Sequence, residues 1–87
     1  MTDPTDAVEN VITATKDLHL QIGIENSFIS KLENTIDTLN REDTAGAIDK
    51  LGAFIYVVEA QRCKKILIDD ADVLIAMVQQ IIDSAGG

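Results

Sequence analysis

Ala53-Phe54-Ile55-Tyr56-Val57-Val58-Glu59-Ala60-Gln61-Arg62-Cys63-Lys64-Lys65-Ile66 is the stretch that decides the fold class. Its apolar residues continue a row that starts upstream at Ile48 and Leu51 and passes through Ile55 and Val58, flanked by Ala47 and Phe54. Steps of three and four residues put such a row on one face of an α-helix. The run ends in Arg62, Lys64 and Lys65, where cations complement the negative end of the helix dipole. Asp43 is a good N-cap upstream, so the spacing predicts a helix over about 43–63. Gly46 and Gly52 each cost roughly 1 kcal/mol relative to alanine in a helix interior, and close approach of another helix would be one reason to keep them.

The same period appears three more times. Val8, Val11, Ile12, Thr15, Leu18 and Ile22 form a stripe over about 4–22, with Asp3 as N-cap, Pro4 at the first helical position and Gly23 as the stop. Phe28, Leu32, Ile36 and Leu39, with Ile29 beside them, predict a helix over 26–40, capped by Asn26 and ended by Asn40 in a left-handed conformation. Ile66-Leu67-Ile68 then links to a helix over 69–84, capped by Asp69 and striped by Ala71, Leu74, Ile75, Val78, Ile81 and Ile82, with Ser84-Ala85-Gly86-Gly87 fraying. Pro4 is the only proline, and no segment alternates as a strand would. Short connections make sequential helices antiparallel. The expected fold is all-α, a small antiparallel up-down bundle of four helices in one domain spanning 1–87.

Composition bounds the function. The 46% hydrophobic fraction is too high for disorder, and with 3% aromatics the core must be aliphatic. The formal net charge of −8 repels nucleic acid and anionic membrane surfaces alike. No apolar run approaches the ~20 residues of a membrane span. The polar, acidic start Met1-Thr2-Asp3-Pro4-Thr5-Asp6 is no signal peptide. A single cysteine makes no internal disulfide.

No constellation spells out a reaction. Asp69-Asp70-Ala71-Asp72 lacks the turn glycine and distal glutamate of a calcium loop, and capping with dipole compensation explains its aspartates. His19, the only histidine, falls on the apolar stripe beside Thr15 and Ile22 with no second ligand in reach, and reads as a hydrogen-bonded, partly buried side chain. Buried and neutral, it would make stability fall at acid pH. Cys63 has no base beside it for a catalytic pair and reads as a bystander thiol. The expectation is no enzyme, no cofactor and no metal. Asn26-Ser27-Phe28 invites comparison with acyl and peptidyl carrier proteins, which are small, acidic and four-helical. In those proteins the modified serine opens a helix within an Asp-Ser-Leu triplet. Here asparagine and phenylalanine replace its neighbours, and capping accounts for Asn26-Ser27.

Surplus apolar and basic residues mark a candidate partner surface. Tyr56 and Val57 point away from the third helix's row, and Val73 and Met77 flank the fourth helix's stripe. Arg62, Lys64 and Lys65 complete the set. Tyr56 leads it, because tyrosine suits interfaces.

The chain resembles the FIMAH-type helical module, a short domain appended to secreted and cell-surface proteins of bacteria and methanogenic archaea. The residues that carry the resemblance are Asn26-Ser27, Lys31-Leu32 and Leu39, then Ala47, Leu51 and Ala53-Phe54-Ile55. Val58-Glu59-Ala60-Gln61-Arg62, Lys64-Lys65-Ile66, Ala71-Asp72, Leu74-Ile75-Ala76 and Ile81-Ile82 complete them. The likeness covers about residues 8 to 83 and is densest from 51 to 76. Two positions depart from the pattern. Cys63 stands where the family usually has glycine, and Glu42-Asp43 stands where it usually has Gly-Asn, which leaves both turn conformations open. The resemblance implies a non-enzymatic accessory or protein-interaction module, excised from an extracellular or cell-surface multidomain protein. Its partner would be another protein or a domain of the parent chain, with a homodimer as a further option. The alternatives are a carrier protein modified on Ser27 and a cytosolic helical dimerisation adaptor.

Overall fold

The computed structural model describes residues 4–64 and 66–86. They form four helices, α1 (Pro4–Asp17), α2 (Ile22–Asn40), α3 (Thr44–Gln61) and α4 (Ile68–Gly86). Among the described residues, α1 packs on α2 and α4, and α3 packs on α2 and α4; no backbone approach crosses either diagonal. The expected up-down four-helix bundle is therefore the observed fold. It measures 34 × 21 × 21 Å, one helix long and two helices wide.

Each helix buries the stripe its sequence period defines. Val8, Val11 and Thr15 are sealed on α1, Phe28, Leu32 and Thr35 on α2, and Ala71, Leu74, Val78 and Ile81 on α4. On α3 the sealed residues are Ala47, Leu51, Phe54 and Val58, while Ile48 and Ile55 are half-buried. The inward row is thus turned by one position from the expected one. That rotation lets Phe54 meet Phe28, the only other phenylalanine, at a ring separation of 5.3 Å with planes at 72°, an edge-to-face contact. The two buried threonines are satisfied within their own helices. Thr15 Oγ1 donates to the Val11 carbonyl at 2.8 Å, and Thr35 Oγ1 to that of Lys31 at 2.9 Å.

The turns are where expectation and structure part. α1 stops at Asp17, because the chain turns at His19, a left-handed residue with φ 53°. Its N–H donates to the Lys16 carbonyl. Gly23 therefore does not end a helix; it lies inside α2, which starts at Ile22 behind Gln21 without a side-chain cap. Asn26 is an exposed interior residue rather than the cap. Ile22 consequently leaves the α1 stripe and stands 77% exposed.

At the end of α2 the left-handed residue is Glu42, φ 62°, two positions beyond the predicted Asn40. The Glu42 N–H donates to Leu39 and the Asp43 N–H to Thr38, the two bonds of a Schellman motif. Asp43 also caps α3 as predicted, its Oδ1 accepting from the Gly46 N–H at 3.0 Å. One residue thus closes one helix and opens the next. After α3, Cys63 is left-handed at φ 68°, and its N–H donates to the Ile66 carbonyl at 2.9 Å. The Ile66 N–H returns to Gln61. This tight loop turns Ile66 inward to 3% exposure. α4 begins at Ile68, so Asp69 is not its cap but sits in its first turn with Asp70, where both still complement the dipole. Ser84 and Ala85 do not fray; α4 runs on to Gly86, with Ala85 half-buried. The predicted cap Asp3 and the terminal Gly87 lie outside the described residues.

Candidate functional site

Chemistry that needs converging side chains finds no support in the positions of the candidates. His19 is exposed on a turn rather than partly buried on a stripe. It left the stripe when α1 ended two residues before it, and the expected acid destabilisation loses its premise of burial. Cys63 is a free, exposed thiol on the α3–α4 turn. No group of three or more His, Cys, Asp or Glu among the described residues is placed to hold a metal ion. Ser27 does not open a helix; it is the sixth residue of α2, half-buried, with its Oγ accepting from Lys31 Nζ at 3.3 Å.

What the fold does position is surface. Helix alternation brings the α1–α2 and α3–α4 turns to one end of the bundle and leaves the α2–α3 turn, Arg41-Glu42-Asp43, at the other. At the first end Leu67 is 73% exposed and Ile68 41%. They line an open groove of about 580 Å³ with Cys63, Lys64, Ile66 and Asp69. By sequence alone Ile66-Leu67-Ile68 reads only as a link. The available signal was that three consecutive apolar residues cannot all face one core; the loop bonds turn Ile66 inward and leave its two successors outside.

The predicted surface residues separate. Tyr56 projects from the solvent side of α3 at 75% exposure, and Val73 from α4 at 51%. Val57 and Met77 are half-buried and pack against the core cluster. Met77 also lines the groove between α1 and α4 with Ala7, Val11 and Ile81. Arg62 closes α3, and its guanidinium Nε and Nη2 donate to the two carboxylate oxygens of Asp72 at 3.1 and 3.3 Å. This is the single salt bridge among the described residues, and both side chains are about half exposed. Lys64 is exposed and unpaired on the same turn, and Lys65 lies outside the described residues. No described helix is long and apolar enough to cross a membrane.

No protein-family model matches the chain. Searches of curated proteins and of solved structures likewise find no significant match.

Proposed function

We propose that this chain is a non-enzymatic helical module of the FIMAH type. It is carried by a secreted or cell-surface multidomain protein and presents its surface to another protein or to a domain of its parent. The observation that carries the reading lies in the turns. At two positions where the resembled family usually has glycine, this chain has Glu42 and Cys63, and both take the left-handed backbone that glycine adopts most readily. Glycine would fit both of these turns. The exposed apolar residues Tyr56, Leu67 and Val73 suit a role in contact rather than in chemistry.

The test is to follow the parent polypeptide in its own cell, by fractionation and by protease treatment of intact cells. Recovery in the medium or on the protease-accessible surface supports the reading; retention in the cytosol overturns it. A second arm treats the folded chain with a phosphopantetheinyl transferase and coenzyme A. The intact mass stays unchanged on this reading, and addition at Ser27 would replace it with the carrier reading.

A further inference from the structure

We infer that α1 is exchangeable between two copies of this chain. The α1–α2 turn straightens, α1 and α2 become one continuous helix, and each α1 takes the place of its counterpart in the other copy, joining two bundles end to end. This goes beyond the module reading and does not depend on it.

The α1–α2 turn is the least fastened of the three. The α2–α3 turn is closed by the bond from Asp43 to Thr38 and by the Asp43 cap. The α3–α4 turn is closed by the bonds from Ile66 to Gln61 and from Cys63 to Ile66, and buried Ile66 anchors it. Between α1 and α2, no backbone hydrogen bond among the described residues joins the chain before His19 to the chain after it. None of residues 18–21 is buried, and α2 starts without a side-chain cap. The turn rests on His19 in the left-handed region at φ 53°. A non-glycine residue held there stores strain that a helical conformation would release. α1 is also the shortest of the four helices, and an open groove of about 320 Å³ runs between it and α4.

The apolar register runs straight through this turn. Val11, Thr15 and Leu18 step by three and four into Ile22, and past Glu25 the same steps reach Ile29, Leu32, Ile36 and Leu39. On a continuous helix these residues form one slowly drifting face. No proline or glycine stands between Pro4 and Gly23 to stop such a helix. It would span 4–40 and measure about 55 Å, against a bundle 34 Å long. Two bundles stacked end to end need the buried faces of α1 and α2 on the same side of that helix, which this register provides.

The exposed apolar residues select the occupant. Ile22 is 77% exposed, Leu67 73% and Ile68 41%, and all three lie at the end that holds the α1–α2 and α3–α4 turns. The two bundles of the exchanged dimer meet at that end. Leu67 and Ile68 then face the other copy, and Ile22 lies close to the two-fold axis. Every contact of α1 is remade between copies, so only the turn has to change. The exposed charges nearby, Lys16 and Lys64 against Asp17 and Asp69, are of both signs, half-buried Glu25 and Asp70 add to the negative side, and Arg62 is held by Asp72. The net charge of −8 on each copy opposes pairing, so the closed monomer prevails when the chain is dilute.

Size-exclusion chromatography after refolding from urea at low and high chain concentration, in reducing buffer, tests this. Refolding at high concentration should yield a dimer that persists on dilution, because each α1 must leave its place before the copies part. Hinge variants set the direction. His19→Ala favours the continuous helix and His19→Gly the turn, and their dimer-to-monomer ratios should differ roughly tenfold or more, since each dimer holds two hinges. Gln21→Pro should abolish the dimer and keep the monomer, because φ at Gln21 is −54°, which proline accepts, whereas proline breaks a helix interior. Leu67→Ser should lower the dimer yield. The deciding arm places spin labels at Glu9→Cys and Glu33→Cys in a Cys63→Ser chain, diluted into unlabelled protein. Both glutamates are exposed, one on α1 and one on α2. The dimer should show an intrachain separation of about 36 Å, the helical rise from 9 to 33, where the monomer shows the short distance of adjacent antiparallel helices. The inference is overturned if wild type and His19→Ala both stay monomeric at every concentration, or if a dimer keeps the monomer's label distance. Neither result touches the module reading, which stands or falls on where the parent protein is found.

Discussion

The carboxylate of Asp43 occupies the space where a side chain on residue 46 would begin. A Cβ built on Gly46 would stand 2.8 Å from the Asp43 Cγ, closer than a carbon contact allows. The bond from the Gly46 N–H to Asp43 holds that carboxylate in place. A side chain at residue 46 would therefore make the Asp43 carboxylate shift from its capping position, whereas no packing neighbour calls for glycine there. Gly52, the other glycine of α3, would meet nothing within 4 Å.

The two glycines should accordingly respond in opposite ways to alanine. Gly52→Ala should stabilise the dilute chain by about 0.5–1 kcal/mol, the helix-propensity difference. Gly46→Ala gains the same propensity but displaces a cap worth about 1 kcal/mol, and should be neutral or destabilising. Thermal unfolding of both variants checks this. Equal stabilisation by the two substitutions would contradict the cap geometry.

Replacing Cys63 or Glu42 with glycine should also stabilise. A left-handed non-glycine residue costs roughly 1–2 kcal/mol, against which glycine adds about 0.4–1 kcal/mol of unfolded-state entropy. The net gain is then about 0.5–1 kcal/mol at each site, a few degrees in a domain this small. Cys63→Ala, which keeps the Cβ, serves as the control and should not share the gain. If Cys63→Gly and Cys63→Ala melt alike, the left-handed assignment at residue 63 is wrong.

Thr15 and Thr35 bury hydroxyls that bond only to carbonyls of their own helices. Those carbonyls remain in the helix ladder when the hydroxyl is removed. Thr15→Val and Thr35→Val should therefore be neutral or stabilising by under about 1 kcal/mol, whereas Thr→Ser, which deletes a buried methyl, should cost about 1 kcal/mol. Chemical denaturation midpoints rank the four variants. A large loss on Thr→Val would mean that the hydroxyls serve partners outside their own turns.

Phe54→Ala should remove about 3–5 kcal/mol, because it empties the centre of the core and leaves the Phe28 ring without its partner. Against a total of about 5–15 kcal/mol typical of a domain, the loss is severe. Asp72→Ala breaks only a half-exposed ion pair with Arg62 and should cost under about 1 kcal/mol, less in high salt. Urea unfolding at two ionic strengths separates the two effects. A salt-insensitive loss of several kcal/mol at Asp72 would contradict the exposed geometry.

Hydrophobic period made the helices legible, and side chains with one dominant local role made Asp43 legible. Asp43 has a carboxylate, a following helix and no competing use, so its cap was readable. The turns at His19 and Cys63 were not. Glycine advertises a left-handed backbone, and here the chain turns on residues that do not, while Gly23 sits in a helix that would accept alanine. His19 leaves its expected stripe for the same reason: α1 ends at Asp17, and no glycine marks the turn that follows. On the surface, Tyr56 followed from angular position on α3. Met77 did not, since whether a flanking residue is covered depends on where α1 lies, which no local period encodes. Leu67 and Ile68 escaped because a link has no period to read.

An even number of alternating helices returns the chain to the end where it started, and here Pro4 and Ser84 line the same groove between α1 and α4. The helical body therefore has a root and a tip: both strands of any tether leave from the root, and the tip carries Leu67 and Ile68. Tension applied through the two ends would not stretch the bundle along its axis. It would peel α1 from α4 turn by turn, starting at the root, and the seam holding Met77 would be the first to give.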